Sequence, residues 1–318
     1  MNFDQFAQAY TTLRQGIARV VVGQPELVDG VLVALFAQGH VLIEGTPGLG
    51  KTLVARTLAM LSGLGNKRVQ FTPDLMPSDV TGSQVYDRQS GAFSFVPGPI
   101  FCQLLLADEI NRAPAKTQAA LLEAMQERQV TVDGHSRALP APFTVLATQN
   151  PIESHGTYPL PEAQLDRFLV KLVVGDPARD VELAIVKQHL GGFDPTDLSA
   201  LRPILSQEDV LAMQQLAKTV RVDDTVVDYI VEIVRRTRED RSIEVGASPR
   251  ASLALTRASQ VVAASQGREF VTPDDIKPLA LQVLRHRIIL HADAQLQGVS
   301  TDERITDIVR AVPVPRMA

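Results

Sequence analysis

The amino-acid sequence predicts an α/β fold, a parallel sheet with helices on both faces, followed by a smaller domain made only of helices. Three observations predict it. Short apolar runs alternate with amphipathic stretches, the run "HVLIEG" leads into a glycine-rich loop, and strand-like runs stop near "VVGDPARD". Alternating strands and helices build a parallel sheet, whereas helical spacing alone builds a helical domain. We therefore predict a first domain over 1–175 and a second over 176–318.

The spacing of apolar residues predicts each element in turn. The predicted helices of the first domain cover 3–22, 24–38, 51–62 and 115–127, and the predicted strands cover 40–45, 68–71, 101–109 and 143–150. Two further stretches, near 83–97 and 129–139, alternate around turn residues and predict hairpins that project from the sheet. In the second domain, three stretches show helical spacing, two of them with a Ser or Thr cap before Pro.

Length, composition and charge narrow the class of protein. The chain has 318 residues, of which 45% are hydrophobic and 21% charged, values typical of a globular protein with more than one core. A formal charge of -5 argues against a general nucleic-acid binder. The single cysteine, Cys102, stands among apolar residues and predicts a buried thiol in a reducing compartment. The N-terminus lacks a secretory pattern and no long apolar run occurs, so we expect a cytoplasmic protein without a membrane segment.

The segment "GTPGLGKT" matches the phosphate-binding pattern G-x-x-x-x-G-K-[ST] between a predicted strand and a predicted helix. Glycines let backbone N–H groups turn toward phosphate oxygens, and the helix directs its positive end at them. Lys51 is predicted to reach the β and γ phosphates, and the Thr52 hydroxyl to bind Mg²⁺. The alternative is a glycine-rich turn without a ligand. The predicted nucleotide-binding residues of the loop are Gly45, Thr46, Pro47, Gly48, Leu49, Gly50, Lys51 and Thr52.

Asp108 and Glu109 end the apolar strand "LLLADE" at the carboxyl edge of the predicted sheet, where open α/β sheets bind ligands. We predict that Asp108 is the second protein ligand of Mg²⁺, and that Glu109 is the base that polarises the attacking water. The alternative is that the two acids cap the next helix. Because the phosphate loop lies at the same edge, the pair predicts hydrolysis of the nucleotide and not binding alone.

Three more polar residues stand at positions that a purely structural role explains only in part. Asn150 ends the strand "FTVLATQN" before Pro151, where it could hold the attacking water or only form a turn. Arg250 stands at a predicted helix start, where a cation opposes the helix dipole unless an anionic ligand offsets it. The alternative there is a solvated arginine. Arg167 follows Asp166 within an apolar helical pattern over 160–169, which leaves a structural ion pair as the alternative.

The motifs "GTPGLGKT", "LLLADEINRAPAKTQAALLEAMQE", "LATQNP", "LPEAQLDRF" and "SPRAS" resemble, in order and spacing, those of AAA+ ATPases of the MoxR family. The resemblance runs from about residue 20 onward. It implies a large αβα P-loop domain, a small helical lid and a ring hexamer with ATP at each subunit interface. The hairpin near 83–97 resembles the family's insert in helix 2, and the one near 129–139 resembles the hairpin before sensor 1.

The resemblance also implies roles for single residues. Asn150 resembles sensor 1, Arg250 resembles sensor 2 of the lid, and Arg167 resembles the arginine finger donated into a neighbour's site. Arg112 is the second candidate for that interface arginine, and spacing does not choose between the two. Val22 and Gly23 in "VVGQ" resemble the backbone segment that meets adenine.

For function, the resemblance implies a Mg²⁺-dependent ATPase that remodels or matures a client protein, with metal insertion or complex assembly as the usual task. The chain carries no additional von Willebrand A-type module, so a separate polypeptide is expected to handle the substrate. Two alternatives stay open. A DNA motor of the same insert-bearing group would need a basic hairpin, whereas these hairpins carry only Arg88 and Arg137 as arginines. The other alternative is a nucleotide-gated scaffold whose hydrolysis is incidental, and Glu109 argues against it.

Overall fold

The computed structural model of the chain describes residues 1–46, 48–88, 91–151, 157–195 and 197–315. Its main sheet consists of β1 (Val41–Gly45), β2 (Asn66–Gln70), β5 (Leu104–Asp108), β8 (Thr144–Gln149) and β9 (Val170–Val174). The strands lie in the order β2-β5-β8-β1-β9, and every neighbouring pair is parallel. The predicted parallel sheet is confirmed, and β9 adds a fifth strand that the sequence prediction lacks.

Four helices of the first half agree closely with the predicted ranges, namely α1 (Phe3–Val20), α2 (Pro25–Phe36), α3 (Lys51–Leu61) and α5 (Ala115–Glu127). The structure adds α4 (Pro77–Thr81), and the short α6 (Glu162–Leu165) lies within the stretch 160–169. A short 3-10 turn, Ile110–Arg112, connects β5 to α5. No helix among the described residues is long and apolar enough to cross a membrane.

Alternating strand residues explain why the sheet is covered on both faces. Val41 and Ile43 of β1 belong to one apolar cluster, which includes Val54 of α3, whereas Leu42 belongs to a second cluster with Leu121 of α5. All of these side chains are fully buried, which contributes roughly 1.5 to 3 kcal/mol for each large one. A strand that is apolar on both faces requires helices on both sides, and this arrangement produces the αβα layers.

Both predicted hairpins are present. The first hairpin pairs β3 (Gly82–Asp87) with β4 (Ala92–Pro97), and the second pairs β6 (Gln129–Val132) with β7 (His135–Ala138). Asp133 and Gly134 have φ angles of 50° and 76° at the tip of the second hairpin. Two successive left-handed residues form the type I′ turn that matches strand twist, which is why Asp-Gly predicts this hairpin.

The predicted helical C-terminal domain is confirmed. Its helices are α7 (Arg179–Leu190), α8 (Gln207–Ala217), α9 (Asp224–Glu239), α10 (Pro249–Ser265), α11 (Pro273–Leu284), α12 (Ala292–Leu296) and α13 (Thr301–Ala311). The structure adds a small antiparallel pair, β10 (Ile243–Val245) with β11 (Ile289–Leu290). We use the term lid for this domain.

The stretch 160–169 forms less helix than its sequence pattern indicates. Helix α6 ends at Leu165, and the continuous helical pattern expected through Leu169 is wrong. The backbone N–H of Leu169 donates to the carbonyl of His40 at 2.8 Å, so the chain already approaches β1 before β9 begins. Phe168 and Leu169 are buried at this sheet edge and not along a helix face, which accounts for their apolar character.

Candidate active site

The loop after β1 has the backbone conformation that a phosphate-binding loop requires. Gly48 and Gly50 have φ angles of 88° and 78°, in the left-handed region that favours glycine. No described heavy atom lies within 4 Å of the position that a Gly48 Cβ would take, so conformation and not space requires glycine there. Helix α3 begins directly after Gly50, with its N-terminal end at the loop. Pro47 lies outside the described residues.

Lys51 lies inside the cleft that the loop borders. Its residue is only 9% exposed, and its Nζ donates a hydrogen bond to the carbonyl of Gly45. The ammonium group therefore lies across the loop, beside the N-terminus of α3. A phosphate bound in the cleft would place negative charge beside this buried cation.

Asp108 is held at the end of β5 by two neighbouring strands. The Thr148 hydroxyl at the end of β8 donates to its Oδ1 at 2.5 Å, and Arg68 of β2 donates to its Oδ2 at 2.7 Å. Because parallel strands end at the same edge, residues distant in sequence meet here. The carboxylate is thereby fixed in orientation and faces the phosphate loop across the cleft.

Glu109 has an unusual backbone conformation with three anchors. Its φ angle is 55°, which is uncommon for a residue with a side chain and marks functional sites more often than other positions. Its backbone N–H donates to Thr148 Oγ1 at 2.9 Å, and its Oε2 accepts from Gln70 at 2.7 Å. Arg112 also lies 3.1 Å from Oε2. The side chain is therefore held toward the cleft, where a base for water would be needed.

Asn150, directly after β8, joins the same cleft and is 6% exposed. The preceding residue, Gln149, donates to Glu44 of β1, and Lys171 of β9 lies 2.8 Å from that carboxylate. The ends of β8, β1 and β9 are thus tied together by polar contacts next to Asn150. A side chain in this position is held by the sheet and not by a mobile loop tip.

The cleft has a volume of about 600 Å³ and is bordered by both domains. From the first domain it includes Val22, Gly48, Leu49, Gly50, Lys51, Thr52, Asp108, Glu109 and Asn150. From the lid it includes Ile185, Gln188 and His189 of α7, and Phe193 beyond it. A polar floor with an apolar wall is the usual construction of a nucleotide site.

Three residues predicted to bind nucleotide do not line this cleft in the described part of the chain. Gly45 lies in β1, where a Cβ would lie 2.6 Å from the carbonyl oxygen of Val174, so its glycine permits close strand packing. Thr46 follows it. Gly23, with φ of 75°, packs against Val181 of α7, and a Cβ there would lie 2.1 Å from a Val181 methyl. Its neighbour Val22 does line the cleft.

Arg167 and Arg250 lie together, but away from the cleft. Both line a second groove of about 550 Å³, which we call the arginine groove, and the two linings share no residue. The groove also includes Arg128, Arg257 and Arg287, with Asp166 as its one carboxylate among the described residues. Such an excess of positive charge favours an anionic partner. Neither Arg167 nor Arg250 therefore lines the cleft of its own chain.

The predicted alternative of an ion pair between Asp166 and Arg167 is not what the structure shows. Asp166 binds Arg287, whose Nε lies 2.6 Å from Oδ1, and accepts from the Ser248 hydroxyl at 3.0 Å. Nε of Arg167 is buried and has no hydrogen-bond partner among the described residues. Arg250 lies 4.0 Å from Asp166 and is 57% exposed in its side chain, so it is available to a partner.

Arg112 and Arg167, which spacing could not separate, occupy different places. Arg112 lies 3.1 Å from Glu109 of its own chain, at the side of the cleft. Arg167 lies in the arginine groove. Arg112 is thus paired with an acid of its own cleft, whereas Arg167 lies apart from that cleft.

Sequence reasoning missed several residues around the site. Arg68, Gln70 and Thr148 hold the acid pair, and the lid residues of α7 form the apolar wall of the cleft. The sequence does contain a signal for Arg68 and Gln70, because they alternate with the apolar Val69 and so lie on the same side of β2. Cys102 is buried as predicted, and burial raises the pKa of its thiol to about 11.

Fold and site together define an AAA+ ATPase, a P-loop enzyme with a helical lid, and comparison with known proteins agrees. The ATPase family associated with various cellular activities (AAA) matches residues 40–170, and an AAA lid domain matches 235–308. The crystal structure of a candidate ATPase from Cytophaga hutchinsonii is similar with a TM-score of 0.90 and 39% identity, over 99% of this chain and 97% of that one.

Two relatives identify the family. The chain is 48% identical over 303 residues to YeaC of Bacillus subtilis, covering 94% of this chain and 92% of that protein. It is 43% identical over 310 residues to the chaperone MoxR1 of Mycobacterium tuberculosis, covering 95% and 81%. The chain belongs to the MoxR family of AAA+ ATPases and is an ATP-hydrolysing enzyme.

Proposed function

We propose that the protein forms a ring, expected to be a hexamer, in which Mg²⁺-dependent ATP hydrolysis drives the remodelling or maturation of a separate client protein in the cytoplasm. The nucleotide-binding unit, 1–175, would be the motor of each subunit, and the lid, 176–318, would close over the adenine base of ATP. The observation that carries the ring is the separation of the arginine groove from the cleft of the same chain. A γ phosphate needs cations beside it during hydrolysis, and a neighbouring subunit can supply them.

In this proposal the residues of the cleft divide the work. Lys51 and the N–H groups of the loop hold the β and γ phosphates, while Asn150 orients the attacking water. Glu109 accepts a proton from that water, and its anchors to Gln70 and Thr148 fix the carboxylate for the task. The water oxygen forms a bond to the γ phosphorus as the bond to the β-γ bridging oxygen breaks, which releases ADP and phosphate.

The residues present fit Mg²⁺ as the cofactor. The Thr52 hydroxyl and the Asp108 carboxylate both line the cleft, and no group of three or more His, Cys, Asp or Glu that could hold a metal occurs within the described ranges. Two protein oxygens, completed by phosphate oxygens and water, suit Mg²⁺, which keeps several waters and rarely takes an all-protein cage. When bound, the ion neutralises phosphate charge.

Arg167 and Arg250 are proposed to act on the nucleotide of a neighbouring subunit. They share one groove, and Arg167 has a buried Nε without a partner in the described part of its own chain. An arginine fork placed beside the γ phosphate stabilises charge that spreads over its oxygens in the transition state. Neither arginine lines the cleft of its own subunit, which supports a role at the cleft of a neighbour.

The client is proposed to be a separate polypeptide, because the first hairpin exposes apolar side chains suited to protein contact. Tyr86 and Phe93 pair across its strands with ring centroids 5.2 Å apart and are 52% and 70% exposed. A relative named as a chaperone supports this direction. A von Willebrand A-type partner and metal insertion into the client are specific forms of the same proposal.

The hairpins give less support to the alternative of a DNA motor. The guanidinium of Arg137 lies 4.0 Å from the ring centroid of Phe95, where it joins the second hairpin to the first. A stacked arginine is committed to that contact. Phosphate binding along a strand would require several available cations at this place.

A mixing experiment tests the proposal. Lys51→Ala is expected to lose nucleotide binding, and Arg167→Ala to bind ATP but hydrolyse it about 10³ to 10⁵ times more slowly. In a mixed ring, the intact cleft of an Arg167→Ala subunit can lie next to the intact Arg167 of a Lys51→Ala subunit. ATPase activity should therefore return. Mixtures proven to exchange subunits, yet inactive at every ratio, would contradict action across the interface and make Arg112 the better candidate.

A further inference from the structure

Each carboxylate of the cleft already has an arginine beside it. Nη2 of Arg68 lies 2.7 Å from Oδ2 of Asp108, and Nη1 of Arg112 lies 3.1 Å from Oε2 of Glu109. Lys51 brings a third positive charge to the same cleft. A site that binds a divalent metal ion by itself presents an excess of carboxylate and carbonyl oxygens. In the described part of this cleft the three cations outnumber the two carboxylates, which is the opposite arrangement.

The contact between Arg68 and Asp108 is closely defined. Arg68 donates both Nε and Nη2 to Oδ2 of Asp108, at 3.1 and 2.7 Å, and Nη2 also donates to Oε1 of Gln70 at 3.0 Å. The other carboxylate oxygen, Oδ1, accepts from the Thr148 hydroxyl at 2.5 Å. Hydrogen bonds between ionised partners are stronger than neutral ones. Both oxygens of Asp108 therefore have a donor, and the charged donor is on Oδ2.

The position of Arg68 follows from the register of β2. In the parallel pairing with β5, Arg68 lies beside Leu106 and Gln70 lies beside Asp108. The long arginine side chain reaches along the strand to the carboxylate at its end. The side chain of Asp108 is 13% exposed and that of Arg68 is 55% exposed. The carboxylate is thus largely withdrawn from water, and the guanidinium of Arg68 compensates its charge.

Charges act strongly on one another in such a place, because the effective dielectric constant is lower than in water. A metal ion bound through Oδ2 of Asp108 would share that oxygen with the guanidinium of Arg68, and the two cations would repel each other. The phosphates of ATP, in contrast, meet a carboxylate whose charge is already compensated. Arg68 should therefore weaken the binding of a free metal ion and strengthen the binding of ATP without metal.

We propose that Arg68 is a positioning residue that compensates the charge of Asp108, so that Mg²⁺ binds to the cleft as a complex with ATP and not to the protein alone. The ligand class assigned to the site is therefore a complex of nucleotide and metal. Within the described residues, no group of three or more His, Cys, Asp or Glu could hold a metal ion by itself, which agrees with this order. The inference rests on the proposed function, because it takes Asp108 as the carboxylate that binds Mg²⁺.

Binding of Mn²⁺ to the full chain without nucleotide tests the charge directly. Mn²⁺ takes the place of Mg²⁺, because its electron paramagnetic resonance signal measures the concentration of the free ion. Arg68→Gln should bind Mn²⁺ at least about tenfold more tightly than the wild type, whereas Arg68→Lys keeps the charge and should stay near the wild-type affinity. Lys67→Gln is the matched control, because it removes a positive charge from the adjacent position of β2, on the other side of the strand.

ATP binding provides an independent measurement. The dissociation constant of a fluorescent, non-hydrolysable ATP analogue is measured once with excess EDTA and once with excess Mg²⁺. The ratio of the first constant to the second should be at least about tenfold larger in Arg68→Gln than in the wild type, and unchanged in Arg68→Lys and Lys67→Gln. A residue with only a structural role would change both constants together and leave their ratio as it is.

Asp108→Asn separates this inference from the proposed function. Added to Arg68→Gln, it should abolish the gained Mn²⁺ binding, and Mn²⁺ binding that survives would place the ion at another group and overturn both. Unchanged or weaker Mn²⁺ binding by Arg68→Gln, or an unchanged ratio of the ATP constants, would overturn the inference. The proposed metal site would remain if Asp108→Asn by itself still reduces the effect of Mg²⁺ on ATP binding.

Discussion

The guanidinium Nε of Arg287 lies 2.6 Å from the Oδ1 atom of Asp166, so the carboxylate beside Arg167 is neutralised by an arginine 121 positions later in the chain. The same guanidinium also donates to the carbonyl of Phe168 at 2.6 Å. Its side chain is 3% exposed. Lid and sheet are thus fastened at this turn, and Arg167 is directed into the arginine groove without an acidic partner next to it.

This arrangement predicts that replacing Arg287 lowers the stability of the protein, whereas replacing Arg167 lowers its ATPase activity. Arg287→Met should reduce the free energy of unfolding by up to about 3 kcal/mol, because the partly buried Asp166 loses its closest cation and keeps only Arg250 at 4.0 Å. Arg167→Met should change stability by less than about 0.5 kcal/mol and still lower ATP hydrolysis. Urea denaturation and steady-state ATPase assays measure the two effects. Equal loss of stability in both variants would show that Arg167 is structural.

Glu109→Gln is expected to bind ATP and hydrolyse it about 10² to 10⁴ times more slowly than the wild type. The amide keeps the size of the side chain and can still accept hydrogen bonds from Gln70, but it cannot accept a proton from water. Binding is measured by calorimetry and turnover by phosphate release. Glu127→Gln, at the exposed end of α5, serves as the control and should hydrolyse normally. Normal turnover by Glu109→Gln would place the base at another residue.

Removal of the aromatic pair on the first hairpin should separate ATP hydrolysis from work on a client. Tyr86→Ser with Phe93→Ser removes exposed rings that contact no phosphate-binding residue, so basal ATPase activity should stay within a few-fold of the wild type. Binding of a fluorescently labelled, permanently unfolded polypeptide, measured by anisotropy, should weaken by about tenfold or more. Leu296→Ser removes an even more exposed apolar side chain from the lid and should bind normally. Unchanged binding by the hairpin variant would direct the search for the client surface elsewhere.

The protein should become less stable as the pH is lowered, because it buries neutral histidines. Burial and, to a smaller extent, the nearby Arg128 lower the pKa of His40 from its ordinary value of 6.5 to about 3. Between about pH 3 and pH 6.5 the unfolded chain binds a proton at His40 that the folded chain does not bind. The free energy of unfolding therefore decreases as the pH falls below 6.5. By pH 5 the loss from His40 amounts to about 2 kcal/mol.

Urea denaturation at pH 5 and pH 7.5 measures this effect. In His40→Gln the difference between the two pH values should shrink by about 2 kcal/mol, although the variant is less stable at both, because His40 bonds Val145 and Met125. His135→Gln, on the exposed second hairpin, is the control and should keep the wild-type difference. Identical pH dependence in all three proteins would mean that His40 takes up its proton in the folded chain.

Local sequence patterns predicted most of the helices, strands and turns, because these elements depend on residues that are close in sequence. Helix α5 agrees with its predicted range, and the Asp133-Gly134 turn places the second hairpin, since helical periodicity and left-handed turn residues act over a few neighbouring positions. β9 was missed and 160–169 was predicted as too helical. In both cases pairing with β1 competes with local preference, and that pairing depends on residues more than 100 positions away.

The sequence by itself determined the class of chemistry, because Gly48, Gly50 and Lys51 carry backbone freedom and charge in one short segment, and Asp108 and Glu109 carry the acids in another. Only the tertiary structure decided which side chains meet. It joined Arg68, Gln70 and Thr148 to the acid pair, and it put Arg167 with Arg250 in a groove apart from the cleft. The physical reason is that loop conformation and charge are properties of residues close in sequence. Contacts between strand ends and lid helices arise only when burial of the two apolar clusters brings distant segments together.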